Sequence, residues 1–153
     1  AGFDLTGTMS VITDWPTSTT PWLALDRNGN GKIDDGGELF GSATLLPSGE
    51  PASNGFLALR ELDSNADGKV DPTDAEWGRL VVWSDVNSDR VSTANELSTA
   101  GARELVAIEL GYTMERRCDT RGNCEIERAG FRYRDGRGQE LTGAVVDVHL
   151  RLR

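Results

Sequence analysis

The chain reads Asp26-Arg27-Asn28-Gly29-Asn30-Gly31-Lys32-Ile33-Asp34 in the first of three acidic segments that share one pattern. The second is Asp63-Ser64-Asn65-Ala66-Asp67-Gly68-Lys69-Val70-Asp71, and the third is Asp85-Val86-Asn87-Ser88-Asp89-Arg90-Val91. We call them loops 1, 2 and 3 and number the positions of each from its first aspartate. Positions 1, 3 and 5 hold Asp or Asn in every loop, a spacing that turns short oxygen side chains toward one cation.

This pattern is typical of calcium sites, because Ca²⁺ takes its oxygen ligands from a single tight turn. Gly31 and Gly68 occupy position 6 of loops 1 and 2, where the backbone bends sharply. Loop 3 has Arg90 at that position, which would cost about 1 kcal/mol if its φ is positive. Three matches between Asp26 and Glu96 make a chance occurrence a poor explanation.

The residue that closes each loop is expected at position 12, where EF-hands place a bidentate glutamate. Loop 3 has Glu96 there, and loop 2 has the shorter Asp74. Position 12 of loop 1 is Gly37, and a glutamate follows only at Glu38. Loop 1 is therefore either one residue longer, with Glu38 as its closing ligand, or it depends more on Asp34 at position 9.

The ligand set predicted for calcium combines side-chain oxygens with the carbonyl at position 7 of each loop. Its members are Asp26, Asn28, Asn30, Lys32, Asp34 and Glu38 in loop 1; Asp63, Asn65, Asp67, Lys69 and Asp74 in loop 2; and Asp85, Asn87, Asp89, Val91 and Glu96 in loop 3. Two alternatives remain open. Each loop could be a solvated turn, because Asp, Asn and Gly favour turns without a metal, and Mg²⁺ is a weaker competitor for the same oxygens.

The charge of the chain, −9 in total, is concentrated around the loops. Residues 1–98 carry 16 acidic and six basic side chains, whereas residues 99–153 are nearly balanced. The loop carboxylates repel one another without a cation, so we expect the calcium-free state to be loosened. Such an acidic chain is a poor nucleic-acid binder, and the sequence has no apolar stretch long enough to span a membrane.

The two cysteines, Cys118 and Cys124, flank five residues that favour a turn. They predict a disulfide that closes a hairpin, and hence an oxidising compartment. The alternative is a pair of free thiols in a cytosolic protein. The single histidine, His149, lies in an alternating stretch that predicts a surface or rim position, and no nucleophile motif accompanies it.

The fold predicted from these patterns is α+β, with short helices and EF-hand-like loops packed on a C-terminal antiparallel meander. Helices are expected over 54–62, from Asp71 through Leu80, and over 93–102. Strands are expected over 2–5, 80–83 and 105–110 and in the meander, while 14–21 should be an extended lead-in. We predict one domain over 1–153, with a loop-helix region at 22–110 and a β region at 111–153.

Residues 22–110 resemble calcium-binding modules of secreted RTX-type bacterial proteins. The resemblance rests on Leu25 through Gly41, on Asn54 through Asn65, and on Val82 through Leu97, in the same order and spacing. It implies calcium as the cofactor and a secreted or cell-surface location. Some members of that family process themselves by calcium-dependent cleavage of an Asp-Pro bond at their N-terminal edge. This chain has one such bond, Asp71–Pro72, inside loop 2, where a helix-cap role is the better interpretation.

The predicted function is a calcium-stabilised module of a secreted or surface protein that serves structure or interaction and has no enzymatic activity. Its partners would be calcium, and a second protein or other domains of a larger chain. Because the chain begins at Ala1 and lacks a signal peptide, we expect a mature or excised fragment. One alternative is a dockerin-like protein-binding module, since loops 2 and 3 start 22 residues apart. The other is calcium-activated self-processing.

Overall fold

The computed structural model describes residues 20–41 and 43–150. The described chain is mainly β-structure in two antiparallel sheets. The strands are β1 (Trp22–Leu25), β2 (Lys69–Val70), β3 (Leu80–Trp83), β4 (Leu97–Thr99), β5 (Leu105–Glu109), β6 (Thr113–Cys118), β7 (Cys124–Arg134) and β8 (Glu140–His149). One short α-helix, α1 (Gly55–Leu59), and single 3₁₀ turns at Gly36–Glu38, Arg60–Leu62, Trp77–Arg79 and Ala94–Glu96 complete the described elements.

The smaller sheet has the order β1-β3-β4 and carries loops 1 and 3. Its central strand β3 pairs with β1 in the register Trp22↔Trp83 to Leu25↔Leu80 and with β4 from Val81↔Thr99 to Trp83↔Leu97. Loop 1 follows β1 directly, and loop 3 follows β3 after one residue, Ser84. The sheet therefore fixes the first residue of both loops.

The larger sheet is built around β7, the longest strand. Strand β8 pairs along β7 from Cys124↔His149 to Arg134↔Glu140, while β6 and β5 pair with successive parts of β7. Strand β2, which belongs to loop 2, joins this sheet through β5 by the pairs Lys69↔Glu109 and Val70↔Ile108. The predicted C-terminal meander is confirmed, and it extends further than predicted because loop 2 adds a strand to it.

The main core lies between the two sheets and α1. It combines Leu25 and Leu80 from the smaller sheet, Leu59 and Leu62 from the helical segment, and Val70, Ile108 and Leu110 from the larger sheet, with Trp77 and Ala100. A second cluster of Ala24, Ile33, Leu39 and Trp83 lies beneath loop 1. Leu80 and Trp83 are fully buried on opposite faces of β3, so this strand contributes to both clusters.

The predicted α+β class is wrong, because the described chain is mostly β-sheet with a single short helix. The helix expected from Asp71 through Leu80 is replaced by turns and the 3₁₀ segment at Trp77–Arg79. The cause is contact with the start of loop 2, because the Asp74 carboxylate accepts hydrogen bonds from the Ser64 and Asp71 amides. The Ala75 amide donates to the Ser64 hydroxyl rather than to the Asp71 carbonyl, so the i→i−4 bonds of an α-helix do not begin there.

The other helix predictions are partly right. The helix expected over 54–62 exists as α1, capped by the Asn54 side chain, and tightens into a 3₁₀ turn before loop 2. The capping box of Thr93 and Glu96 is confirmed, but it starts only one 3₁₀ turn. The chain then enters β4, since pairing with β3 satisfies its backbone better than a short exposed helix would. The strand predicted at 2–5 and the lead-in up to residue 19 lie outside the described residues.

The predicted disulfide is present between Cys118 and Cys124, which are paired across the β6–β7 hairpin. The turn between them is held by Asp119, whose carboxylate accepts hydrogen bonds from the Arg121 and Asn123 amides. The Asn123 side-chain bond, with further bonds from Asn123 and Arg121, lowers the pKa of Asp119 to about 2. This stabilisation is complete above the ordinary pKa of 3.8 and is lost as pH falls toward 2, so the turn stays capped near neutral pH.

We expect Leu80→Ala to lower the free energy of unfolding by about 2–5 kcal/mol, because it opens a cavity between the two sheets. Leu45→Ala is the matched control, since Leu45 is 65% exposed, and it should change stability by no more than about 0.5 kcal/mol. Urea denaturation of both variants measures the difference. Equal stabilities for the two variants would contradict the placement of the core.

Candidate calcium loops

The three loops have the same backbone geometry at positions 1 to 7. In each loop the aspartate at position 1 accepts the amide of position 5 on one oxygen and the amide of position 6 on the other. The position 3 asparagine accepts the amide of position 5, and the position 5 side chain accepts that of position 7. These bonds orient three side-chain oxygens toward the inside of each turn.

The left-handed backbone recurs at positions 4 and 6 of every loop. Position 4 is Gly29, Ala66 or Ser88, with φ of 73°, 57° and 56° respectively. Position 6 is Gly31, Gly68 or Arg90, with φ of 80°, 86° and 61°. Arg90 has a positive φ, which is the condition stated for a cost at this position, so loop 3 carries the strain that glycine avoids at position 6 of the other two loops.

The closing carboxylate of each loop is buried and accepts the backbone amide of position 9, and in loops 1 and 2 it also accepts the amide of position 2. In loop 2, Asp74 accepts the amides of Ser64 at position 2 and Asp71 at position 9, with donor–acceptor distances of 2.9 Å each. In loop 1, Glu38 accepts the amides of Arg27 at position 2 (3.1 Å) and Asp34 at position 9 (2.7 Å). In loop 3, Glu96 accepts the amide of Thr93 at position 9, at 3.4 Å.

The bond to the amide of position 9, which all three loops have, identifies Glu38 as the structural equivalent of Asp74 and Glu96. Loop 1 therefore closes through its thirteenth residue, and the Gly36–Glu38 3₁₀ turn takes up the extra residue. Asp34 has a different role, because its carboxylate accepts hydrogen bonds from the Asn28 and Asn30 side-chain amides. Of the two closures that the sequence left open for loop 1, the geometry favours Glu38.

An ordinary Asx turn elsewhere in the chain shows what distinguishes the loops. Asp135 caps the β7–β8 turn by accepting the amides of Arg137 and Gln139. Within the part of the chain that the structure describes, no second carboxylate hydrogen-bonds to this turn. The acidic loops thus contain more than a turn requires, namely a second carboxylate that is buried and closes the loop.

The charge of the closing residues is not balanced by basic side chains. Glu38, Asp74 and Glu96 are all more than nine-tenths buried. Among residues 20–41 and 43–150, none of the ion pairs to Lys or Arg involves Asp74 or Glu96. In loop 3, oxygens of Asp85, Asp89 and Glu96 lie within 4.8 Å of one another. Buried carboxylates in such proximity fit a bound cation, because burying an unpaired charge is costly.

The side chains predicted as ligands at positions 1, 3 and 5 lie in the turn of each loop and accept backbone amides there, and the closing residues Glu38, Asp74 and Glu96 bond to the amide of position 9. Asp34 and Asp71 at position 9 bond to side chains of their own loop. The position 7 residues Lys32, Lys69 and Val91 take part through the backbone, because their amides donate to the position 5 side chains. Binding of a cation by this set stays a prediction. This donor set consists of oxygens alone, as hard cations such as Ca²⁺ prefer.

Sequence analysis missed the connections made by position 8 of each loop. The Ser92 hydroxyl of loop 3 accepts from the Ile33 amide of loop 1 at 2.8 Å and donates to the Ile33 carbonyl at 3.2 Å. In loop 2, Val70 pairs with Ile108 of β5. Ile33 and Val70 are also buried in the two hydrophobic clusters. The apolar residue at position 8 of loops 1 and 2 is the sequence feature from which these connections could have been predicted.

These observations define the class of protein, namely a β-rich protein that carries three acidic loops of one geometry. Residues 1–151 match the SPM domain, and the chain belongs to the SPM domain family. It is also similar to the iron-regulated protein FrpA of Neisseria meningitidis serogroup C, with 39% identity over 146 residues. That alignment covers 94% of this chain and 13% of FrpA, so the chain spans only a small part of this relative.

We expect Ala66→Gly to raise the free energy of unfolding by about 1 kcal/mol, because Ala66 is exposed and has a φ of 57°. The control is Ala75→Gly, at an exposed alanine without a positive φ, which should be destabilising by about 0.5–1 kcal/mol. Thermal melts with and without calcium give both values. A loss of stability in Ala66→Gly would show that position 4 of loop 2 is not left-handed in solution.

Proposed function

We propose that this chain is a calcium-binding module of a secreted or cell-surface protein, and that calcium stabilises its fold. The observation that carries the proposal is the buried closing carboxylate shared by the three loops, which accepts the amide of position 9 in each loop and also that of position 2 in loops 1 and 2. The module would serve structure or interaction, without an enzymatic activity of its own.

The stabilisation would come from neutralising buried negative charge. Each loop brings at least two carboxylates to one turn, and the calcium-free loops leave their repulsion uncompensated. Because loops 1 and 2 are anchored in the hydrophobic clusters through Ile33 and Val70, an ion that orders the loops also orders the cores. Calcium binding and folding would then be coupled.

A location outside the cytosol is supported by the chemistry of the chain. The Cys118–Cys124 disulfide is stable in an oxidising compartment. Loops of this type in extracellular modules bind calcium at roughly 10⁻⁴–10⁻³ M, which matches the medium outside a cell. None of the helices in the described residues has the length and apolarity needed to cross a membrane.

We further propose that the partners of the module are other domains of a larger chain or a second protein. The alignment with FrpA covers 13% of that protein, which is consistent with a module that works beside other domains of a larger chain. The dockerin-like alternative gains no support, because it requires a helix after loops 2 and 3. The described chain has only the 3₁₀ segments Trp77–Arg79 and Ala94–Glu96 there.

The test is a calcium titration by calorimetry on EDTA-stripped protein, with Asp63→Asn as the loop variant. We expect calcium to bind the wild type and raise its melting temperature, and Asp63→Asn to weaken loop 2 by about tenfold or more, since affinity follows the ligand charge. The asparagine keeps an acceptor for only one of the two loop amides, so the melting temperature of the variant without calcium is measured as well, which separates a weakened turn from a lost ligand charge.

Asp135→Asn is the matched control, because Asp135 also caps a turn but faces no second carboxylate. It should bind calcium like the wild type. Equal weakening in Asp63→Asn and Asp135→Asn would mean that only overall charge matters. A wild type that binds no calcium at millimolar concentration would overturn the proposal and leave the loops as ordinary turns.

A second candidate function, calcium-activated self-processing, is favoured by one observation. Residues 22–110 resemble modules of that kind, and the match to the SPM domain extends over nearly the whole chain. The Asp71–Pro72 bond is a poor target, because the Asp71 amide bonds to Asp74 and its carboxylate bonds to Thr73 within loop 2. Mass spectrometry after prolonged calcium exposure should therefore find the chain intact, and fragments of residues 1–71 and 72–153 would establish cleavage there.

A further inference from the structure

A cluster of one histidine and two carboxylates lies on the larger sheet and belongs to none of the three loops. The His149 Nε2 atom is 3.0 Å from Glu127 Oε2 and 3.6 Å from Asp147 Oδ2. One potential ligand atom from each residue lies within 4.8 Å of the other two. The cluster therefore presents one nitrogen and two oxygens to a common point.

The fold brings these side chains together through strand alternation and a β-bulge. Asp147 and His149 are two residues apart in β8 and share one face. Glu127 lies in β7 where the register shifts between the pairs Glu125↔Val148 and Arg128↔Val146. A bulge redirects a side chain and is frequent beside functional sites. Here it aligns Glu127 with Asp147 and His149.

Asp147 is held in place by the start of α1. Its Oδ2 atom accepts a hydrogen bond from the Gly55 amide at 2.8 Å. Gly55 allows this close approach, since a Cβ there would lie 3.2 Å from the Asp147 carboxylate and 2.7 Å from the Phe40 carbonyl oxygen. One ligand of the cluster is thus pre-oriented by the backbone, as supporting hydrogen bonds orient metal ligands in other sites.

The charge of the cluster points to a cation. Glu127 is 5% exposed, and the Asp147 side chain is also largely buried. In the described part of the chain, His149 is the only basic side chain within ion-pair distance of either carboxylate. A single imidazole cannot neutralise two carboxylates, and buried negative charge without a counter-charge is costly. A divalent ion would supply the missing charge.

We propose that Glu127, Asp147 and His149 form a binding site for a divalent transition metal such as Zn²⁺, separate from the calcium loops. The imidazole ligand selects for this class, because imidazole suits zinc and its neighbours whereas calcium prefers oxygen alone. Three protein ligands leave a coordination position open. Asp147 and His149 also line a cavity of about 980 Å³ that the described residues bound.

The experiment is a Zn²⁺ titration by calorimetry, run on the full chain with calcium present and again without it. We expect one zinc ion per chain in both conditions. His149→Gln should weaken zinc binding by more than about tenfold, and it should leave the fold intact because the His149 side chain is 44% exposed. Calcium titrations of the same variant should match the wild type, which separates this site from the loops.

Two carboxylate variants complete the test with a matched pair. Glu127→Gln should weaken zinc binding, whereas Glu125→Gln should not, because Glu125 is paired opposite Val148 and bonds to Arg128. Co²⁺ gives a second readout, since the position and intensity of its visible absorption report the coordination geometry and ligand set, and the spectrum of the bound ion should change in His149→Gln. Absence of zinc binding, or equal zinc affinity in His149→Gln and the wild type, would overturn the proposal.

Discussion

The rest of the structure depends on the carboxylate that closes each acidic loop. Asp74 and Glu38 each bond to the amides of positions 2 and 9, which fastens the start of a loop to its end around the position 1 aspartate. In loop 3, the buried carboxylates of Asp85 and Glu96 lie within 4.8 Å of each other, and their repulsion opposes folding unless a cation is present. We therefore propose that the loops are the part of the chain where ionic conditions decide stability.

Apolar residues on both sides of the loops connect them to the hydrophobic clusters. A loop that becomes ordered would therefore also order the clusters. Leu25 and Leu62 precede loops 1 and 2 directly, and Ile33 and Val70 occupy position 8; all four are buried in the hydrophobic clusters. The Ser92–Ile33 hydrogen bonds join loop 1 to loop 3, and the Val70–Ile108 pair joins loop 2 to the larger sheet. Loops 1 and 3 are thus tied to the smaller sheet and to each other, and loop 2 is tied to the larger sheet. We propose that an ion bound in a loop stabilises the sheet that the loop joins.

The sequence predicted the local geometry well and the fold class poorly, for one physical reason. Asp, Asn and Gly at fixed spacing determine the turn within a few residues, so the loops, the Asn54 cap and the Cys118–Cys124 disulfide follow from local pattern. The helix expected after Asp71 depended on propensity alone, and the long-range demand for Asp74 to close loop 2 overrode it. The Glu127 cluster depends on a register shift between β7 and β8, which no local pattern encodes.

Hydrogen exchange at the Ile33 and Val70 amides tests the central claim most directly, because these residues connect the loops to the cores. The account predicts that calcium slows exchange at both amides and at the fully buried residues of β3, such as Leu80, by a comparable factor. Slower exchange confined to positions 1 to 6 of the loops, with the amides of Ile33, Val70 and Leu80 unchanged by calcium, would contradict it.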